Sequence, residues 1–211
     1  LGDYVFANAA VFVCSTSNVR VIDLFSKTLM ALSSGELREI FTANDWRQER
    51  QNYWQRIQDK TASLFTTAAE SGAILSDAPE ETVSAFRTYG HNLGMAFQIA
   101  DDILDFEGDE EEVGKPVGND LLQGILTLPS ILLLERYPKD NPIQKLFQNH
   151  EDSEHLKAAI EMVRNSAVIR ESYAIASQFC ETARRALDLL PDNRYRRALL
   201  ELLEYTVTRN K

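Results

Sequence analysis

The chain has 211 residues, 44% of them hydrophobic and 26% charged, enough for a substantial packed core. Its 22 basic and 32 acidic side chains leave a formal net charge of −10. That balance argues against a general nucleic-acid binder, which needs a basic face. It does not argue against a phosphate-bearing substrate bridged to acidic side chains by metal ions.

Helical periodicity runs through nearly the whole chain, taken here from its start. Leu1-Gly2-Asp3-Tyr4 lacks the basic segment and apolar run of a secretory signal, and no apolar stretch is long enough to span a bilayer. Position 1 is not Met, so the natural gene product is expected to begin upstream. Val21, Leu24, Phe25 and Leu29 recur with helical spacing and mark one face of a first helix. A second helix is expected from about Gln48 to Gly72, turning Tyr53, Ile57, Leu64 and Phe65 inward. Ser76-Asp77-Ala78-Pro79-Glu80-Glu81 combines cap residues, Pro and acids. It should open a helix that reaches Phe106.

A polar loop follows from Glu107 to Asn119, and its Glu107–Glu112 stretch reads as solvated. Next comes a helix from about Asp120 to Tyr137, kinked at Pro129. Further helices are expected over Ser153–Asn165, Ala167–Leu190 and Asn193–Thr208, the last two joined by a turn at Leu190–Asn193. No alternating β-rich run occurs, so the fold class is all-α, with residues 1–211 forming one helical domain. Cys14 and Cys180 lie far apart with no metal spacing and read as reduced thiols of a cytoplasmic protein. His91, His150 and His155 share no ligand spacing, and Trp46 and Trp54 suit either a core or a subunit contact.

The chemistry concentrates in Gln98-Ile99-Ala100-Asp101-Asp102-Ile103-Leu104-Asp105. Helical spacing puts Gln98, Asp101 and Asp105 on one face, with Asp102 beside them. Three carboxylates so close call for a compensating cation, and magnesium favours such oxygens together with water and phosphate. The preceding Leu93-Gly94-Met95-Ala96-Phe97 is apolar nearly all round, so this helix should be central, with its carboxylates lining a cavity. Gly90 and Gly94, one turn apart, suggest a close helix approach. Lys60, in a helix, and Lys115, in the loop after the acidic run, have the compact charge that suits diphosphate oxygens.

The run from Tyr89 to Phe106 is similar to the second aspartate-rich motif of the polyprenyl synthetase (trans-isoprenyl diphosphate synthase) family. Lys60-Thr61-Ala62-Ser63-Leu64-Phe65 resembles its diphosphate-contacting helix. Gly114 to Asp120 followed by Thr127-Leu128-Pro129 resembles its next loop and helix. Gly2-Asp3-Tyr4, Gly35-Glu36-Leu37-Arg38 and Ala183 to Asp192 extend the match along most of the chain. The resemblance implies the isoprenoid synthase fold, a helical bundle around a central cavity, lacking the family's amino-terminal helices. It implies a magnesium-dependent prenyltransferase that joins isopentenyl diphosphate head to tail to an allylic diphosphate, working as a homodimer. Asp101, Asp102 and Asp105 would then serve magnesium, with Asp101 the foremost ligand. Lys60, Thr61, Gln98 and Lys115 would hold the allylic diphosphate.

Two features depart from the family pattern. The first aspartate-rich motif is not found in these residues, so the 211 residues alone are expected to be inactive. Ile125 stands where many relatives have lysine, which removes a diphosphate contact and leans towards a long product. The alternatives are a non-catalytic helical subunit of a prenyl synthase, or another class I isoprenoid enzyme such as a terpene cyclase or head-to-head synthase. The apolar stripe Val21, Leu24, Phe25, Leu29 and Leu32 is the expected candidate for a subunit contact.

Overall fold

The computed structural model describes residues 1–107, 117–148 and 153–208. Helices α1 (Gly2–Ser15) and α2 (Val19–Thr42) are followed by α3 (Arg50–Ile57), a π-helical turn (Gln58–Ala62) and α4 (Ser63–Leu75). The long α5 (Glu80–Glu107) comes next, then the short α6 (Asn119–Leu122), α7 (Leu128–Arg136), α8 (Pro142–Gln148), α9 (Ser153–Arg164), α10 (Val168–Ala186) and α11 (Arg194–Thr208). No strand occurs among the described residues, as the all-α expectation requires. Neither α1 nor α8 stands among the helices expected from periodicity.

Helix α5 is the axis of the molecule. It begins directly after Pro79, whose carbonyl accepts the Val83 N–H at 3.0 Å. Its apolar residues face several directions, so it can satisfy them only by being surrounded. On one side it packs against α4 and the π turn, on the other against α10 and α11. Tyr89, Leu93 and Ala96 meet Cys180, Ala183, Leu187 and Leu203. Further along, Met95, Ile99, Ile103 and Phe106 join Tyr53, Ile57, Leu121, Leu128 and Leu133 in the main core. Trp46 and Trp54, both partly buried, pack against that same cluster.

Two glycines let α5 approach its neighbour. A Cβ on Gly94 would lie 2.6 Å from the Ala62 Cα, and one on Gly90 would lie 2.6 Å from the Phe65 carbonyl oxygen. Backbone atoms cannot yield cheaply at such distances, so only glycine fits.

The helix expected from Gln48 to Gly72 is interrupted by the π turn. A π turn takes one extra residue, so everything after it rotates relative to the α-helical register. Tyr53 and Ile57 are buried as expected, but Ala62 at the end of the turn and Glu70, Ala73 and Ile74 beyond it take the inward positions. Leu64, expected inside, is half exposed. Gly35 of α2 accommodates the widened turn, since a Cβ there would meet the Lys60 amide nitrogen at 2.7 Å.

The helix expected over Asp120–Tyr137 is likewise two helices. After α6 the chain turns at Gly124, with φ +71°, and α7 starts with Pro129 in its first turn. Proline lacks only an N–H that would have no partner there, so it starts this helix without kinking it. The Thr127 N–H donates to the Ser130 hydroxyl at 2.8 Å, which closes the new helix end.

Of the stripe expected as a subunit contact, Val21 is buried, while Leu24, Phe25, Leu29 and Leu32 are half-buried. Val21 is buried against Ala73, Ile74 and Val83, with Leu24 beside it. The opposite face of α2 instead exposes Met30, Leu37, Ile40 and Phe41, and α1 exposes Tyr4, Val5, Val11 and Phe12.

Replacing Gly94 with Ala tests the close approach. Helix propensity favours Ala by about 1 kcal/mol, whereas overpacking a tight contact costs roughly 1–3 kcal/mol. We expect a net loss of about 1–2 kcal/mol in urea unfolding. A variant at least as stable as wild type would show that α5 and the π turn pack more loosely than described.

Candidate active site

A cavity of about 310 Å³ opens where α5, the π turn and the start of α6 converge. Helix α2 contributes Glu39, while α3 and the π turn contribute Arg56, Ile57, Lys60 and Thr61. Helix α5 contributes Gln98, Asp101 and Asp102. Asn119, Asp120, Gln123, Ile125 and Thr127 complete the lining.

Hydrogen bonds tie α3 and the π turn to α5 along the cavity. Thr61 Oγ1 donates to Gln98 Oε1 at 2.6 Å, and Gln98 Nε2 donates to Asp102 Oδ1 at 2.8 Å. Tyr53 Oη donates to Asp102 Oδ2 at 2.7 Å. Asp102 is only 3% exposed, and each of its carboxylate oxygens already accepts a protein hydrogen bond. Burial pushes its carboxyl up to about 6, against the pull of the Gln98 and Tyr53 donors. The Tyr53 hydroxyl is driven well above its ordinary value by the same burial and by the Asp102 charge.

The three sequence-predicted carboxylates therefore stand in three different environments. Asp101 is exposed and lines the cavity, Asp102 sits in its wall, and Asp105 does not line it. Asp105 accepts the backbone N–H groups of Asn119 at 3.1 Å and Asp120 at 3.2 Å, and so holds the start of α6 against α5. Among the described residues, no three Asp, Glu, His or Cys side chains converge into a ready-made metal cage. Lys60, Thr61 and Gln98 do share the cavity, whereas Lys115 lies outside the described residues. Ile125 forms part of the lining. His91 is in a separate cavity of about 260 Å³ between α2 and α4, where burial lowers its pKa.

Asp120, Arg56 and Glu39 are cavity residues that the sequence reading did not single out. Asp120 is pushed up to about 7 by burial and by the charges of Asp105 and Asp102. Arg56 is 4% exposed, donates from Nη2 to the Leu126 carbonyl at 2.5 Å, and lies over the Tyr53 ring. The signal for it was its i, i+4 relation to Lys60 within an otherwise inward-facing stretch. Asp120 was signalled only by following Gly118, whose φ of +74° turns the chain back towards α5. Lys60 Nζ contacts Glu39 Oε1 at 2.5 Å and Glu36 Oε2 at 3.1 Å. Burial opposes its charge, yet the two glutamates outweigh burial and raise its pKa. The Thr127 hydroxyl is buried and has no hydrogen-bond partner among the described residues.

A lined cavity at the end of a buried central helix, with a lysine–threonine pair opposite paired aspartates, is the layout of the isoprenoid synthase fold. The chain belongs to the polyprenyl synthetase family, whose pattern matches residues 1–163. It is 34% identical over 209 residues to a prenyl transferase of Synechocystis, covering 99% of this chain and 64% of that protein. It is 36% identical over 204 residues to heptaprenyl diphosphate synthase component 2 of Geobacillus stearothermophilus, covering 97% and 63%. The fold superposes on a Caulobacter crescentus polyprenyl synthase, complexed with calcium and isoprenyl diphosphate, with a TM-score of 0.93 and 30% identity. That match covers all of this chain and 65% of the other. A decaprenyl diphosphate synthase from Rhodobacter capsulatus gives 0.89 and 31%, covering 100% and 66%. The chain thus spans slightly less than two thirds of the curated relatives, at 64% and 63%.

The raised carboxyls have a consequence for stability. Asp102 and Asp120 hold protons to about 6 and about 7 in the folded state, against about 3.9 when unfolded. A raised carboxyl contributes stability fully below the unfolded value and loses it as pH rises through the folded value. The ligand-free protein should therefore lose this contribution between about pH 4 and about pH 7. Asp120→Asn removes its share, so the melting temperature of this variant, measured with chelator across that window, should decline less than wild type and exceed it above pH 7. Parallel curves for the two proteins would show that Asp120 titrates normally.

Proposed function

We propose that the protein is a trans-prenyltransferase that adds isopentenyl diphosphate head to tail to an allylic diphosphate and yields a polyprenyl diphosphate. The observation that carries this reading is the meeting, on one cavity of about 310 Å³, of cationic and hydroxyl donors with an exposed carboxylate, in a chain of this family. Lys60 and Thr61 hold the allylic diphosphate, and Gln98 fixes the orientation of Thr61. Lys115 joins them, as its family motif implies. Ile125 and relatives named for heptaprenyl and decaprenyl products support a long product.

Magnesium is the proposed cofactor. Asp101 and Asp120 offer one or two carboxylates on a cavity with room for water and phosphate oxygens, a setting that magnesium favours over an all-protein cage. Asp102 and Asp105 support that set from behind, through the Gln98 and Tyr53 hydrogen bonds and through the backbone of residues 119 and 120. Bound metal neutralises charge on the departing diphosphate. The protein orients the allylic carbon towards the isopentenyl double bond, which attacks as the carbon–oxygen bond breaks. The proton lost from the adduct passes to the released diphosphate. Fixed donors and exclusion of water, with no protein nucleophile, accelerate these steps.

A second copy of the chain is the proposed partner. Met30, Leu37, Ile40 and Phe41 share one exposed helical face of α2, and α1 exposes Tyr4, Val5, Val11 and Phe12. A patch of this kind marks an interaction surface, and a two-fold pairing buries it against itself. Among the described residues no helix is long and apolar enough to cross a membrane. Cys14 and Cys180 are free thiols, which fits the cytoplasm as the proposed compartment.

Two experiments test this reading. In an assay of the complete enzyme, carrying the family's amino-terminal region, with labelled isopentenyl diphosphate, farnesyl diphosphate and magnesium, Asp101→Ala should lower kcat/KM by roughly two to three orders of magnitude with the melting temperature unchanged. Retention of wild-type kcat/KM at limiting magnesium would remove Asp101 from the site. In sedimentation at micromolar concentration the wild type should be a dimer, and Phe12→Glu with Phe41→Glu a monomer. A monomeric wild type, or one that dimerises only with a different protein, would sink the homodimer.

A further inference from the structure

Glu39 occupies an unusual position in the cavity. One of its carboxylate oxygens contacts Lys60 Nζ at 2.5 Å, and the other lies 3.8 Å from Arg56 Nε. Lys60 and Arg56 stand one helical turn apart on the same wall, and the Glu39 side chain reaches them from α2 at only 18% exposure. A single anion therefore bridges the two cations of a cavity whose proposed ligand is itself an anion. We propose that Glu39 is an internal competitor for the diphosphate: its carboxylate takes the ligand's place between Lys60 and Arg56, and binding requires its displacement.

This inference rests on the reading of the cavity as the diphosphate site. Two cations facing a half-buried space without a ligand repel each other and are poorly solvated, so a bridging carboxylate stabilises the empty protein. The same contact must be broken before diphosphate oxygens reach Lys60, and charge-assisted hydrogen bonds are the strong ones. Glu39 thus sets affinity against stability of the empty site. Glu36 also reaches Lys60, but its side chain is 57% exposed and its distance longer at 3.1 Å, so water takes its place readily. Neutral Gln at position 39 keeps the shape and loses the charge that competes. Asp at 39 keeps the charge but is one methylene too short to span both cations.

Isothermal titration of the purified protein with inorganic pyrophosphate, with and without magnesium, decides the matter. Glu39→Gln should bind roughly tenfold more tightly than wild type, the equivalent of about 1.4 kcal/mol. Its ligand-free melting temperature should fall, and its pyrophosphate-induced rise should grow. Glu39→Asp should lie between, and Glu36→Gln should tighten binding by less than about threefold. Unchanged or weaker binding in Glu39→Gln would overturn the proposal, and weakening confined to magnesium would mark Glu39 as a metal ligand instead. Should Glu39→Gln not fold, Glu39→Asp decides alone: binding no tighter than wild type overturns the proposal. Lys60→Met separates the two levels. If it binds pyrophosphate as wild type does, the reading of the cavity as a diphosphate site is wrong, whatever Glu39 does.

Discussion

A carboxylate taken out of water must find donors, or it destabilises the fold by several kcal/mol. Asp102 meets that demand with the Tyr53 hydroxyl from α3 and the Gln98 amide from its own helix, and the rest of the site is arranged around this solution. The Tyr53 bond ties α3 to α5. The Gln98 bond fixes the amide orientation, so that its oxygen accepts from Thr61 across the cavity. One buried charge therefore aligns both walls. Its neighbour Asp101, on the same helix but exposed, is left to face the cavity.

That alignment requires α5 and the π turn to touch. Gly94 against Ala62 and Gly35 against the Lys60 amide remove the side chains that would hold the helices apart. The π turn then presents Lys60 and Thr61, neighbours in sequence, to different partners. Lys60 turns to the glutamates of α2, and Thr61 to α5. A regular helix through the same residues would have carried Leu64 inward and changed which side chains face the cavity. Departures from regular helix at functional positions are common for this reason.

The charges divide the molecule into a settled end and a poised end. Near the start of α5, Glu70 is buried at 2% exposure, pairs through both oxygens with Arg87 and lies 3.6 Å from Arg20, which in turn pairs with Glu80. Each of these four charges has an opposite neighbour, and the cluster clamps α2, α4 and α5. About 14 residues and roughly 21 Å further along α5, acidic groups outnumber the cations among the described residues lining the cavity. Asp102 and Asp120 are both shifted upward, mainly by burial. Perturbed groups of this kind concentrate where a ligand is to be bound.

Much of this was written in local spacing. Helical period marked α2, α9, α10 and α11, because one buried face per helix repeats every 3.6 residues whatever the helix packs against, and the capping signal at Ser76–Glu81 marked α5. The run from Tyr89 to Phe106, too apolar for a surface helix yet ending in carboxylates, declared both the axis of the fold and the cavity at its end. What local spacing could not express is the pairing of distant groups. The π turn depends on Gly35, more than 20 residues earlier in the chain, and Pro129 starts a helix because the turn at Gly124 is seated against Asn44. The roles of the three aspartates separate for the same cause. They share one motif, but Tyr53 bonds to Asp102, the backbone of residues 119 and 120 bonds to Asp105, and Asp101 lines the cavity. The sequence determined that charge would gather at one end of a buried helix, since that follows from residue types at fixed spacing. Only the tertiary structure decided which charges are buried in the wall and which line the cavity, because burial and hydrogen-bond partners come from the elements packed alongside.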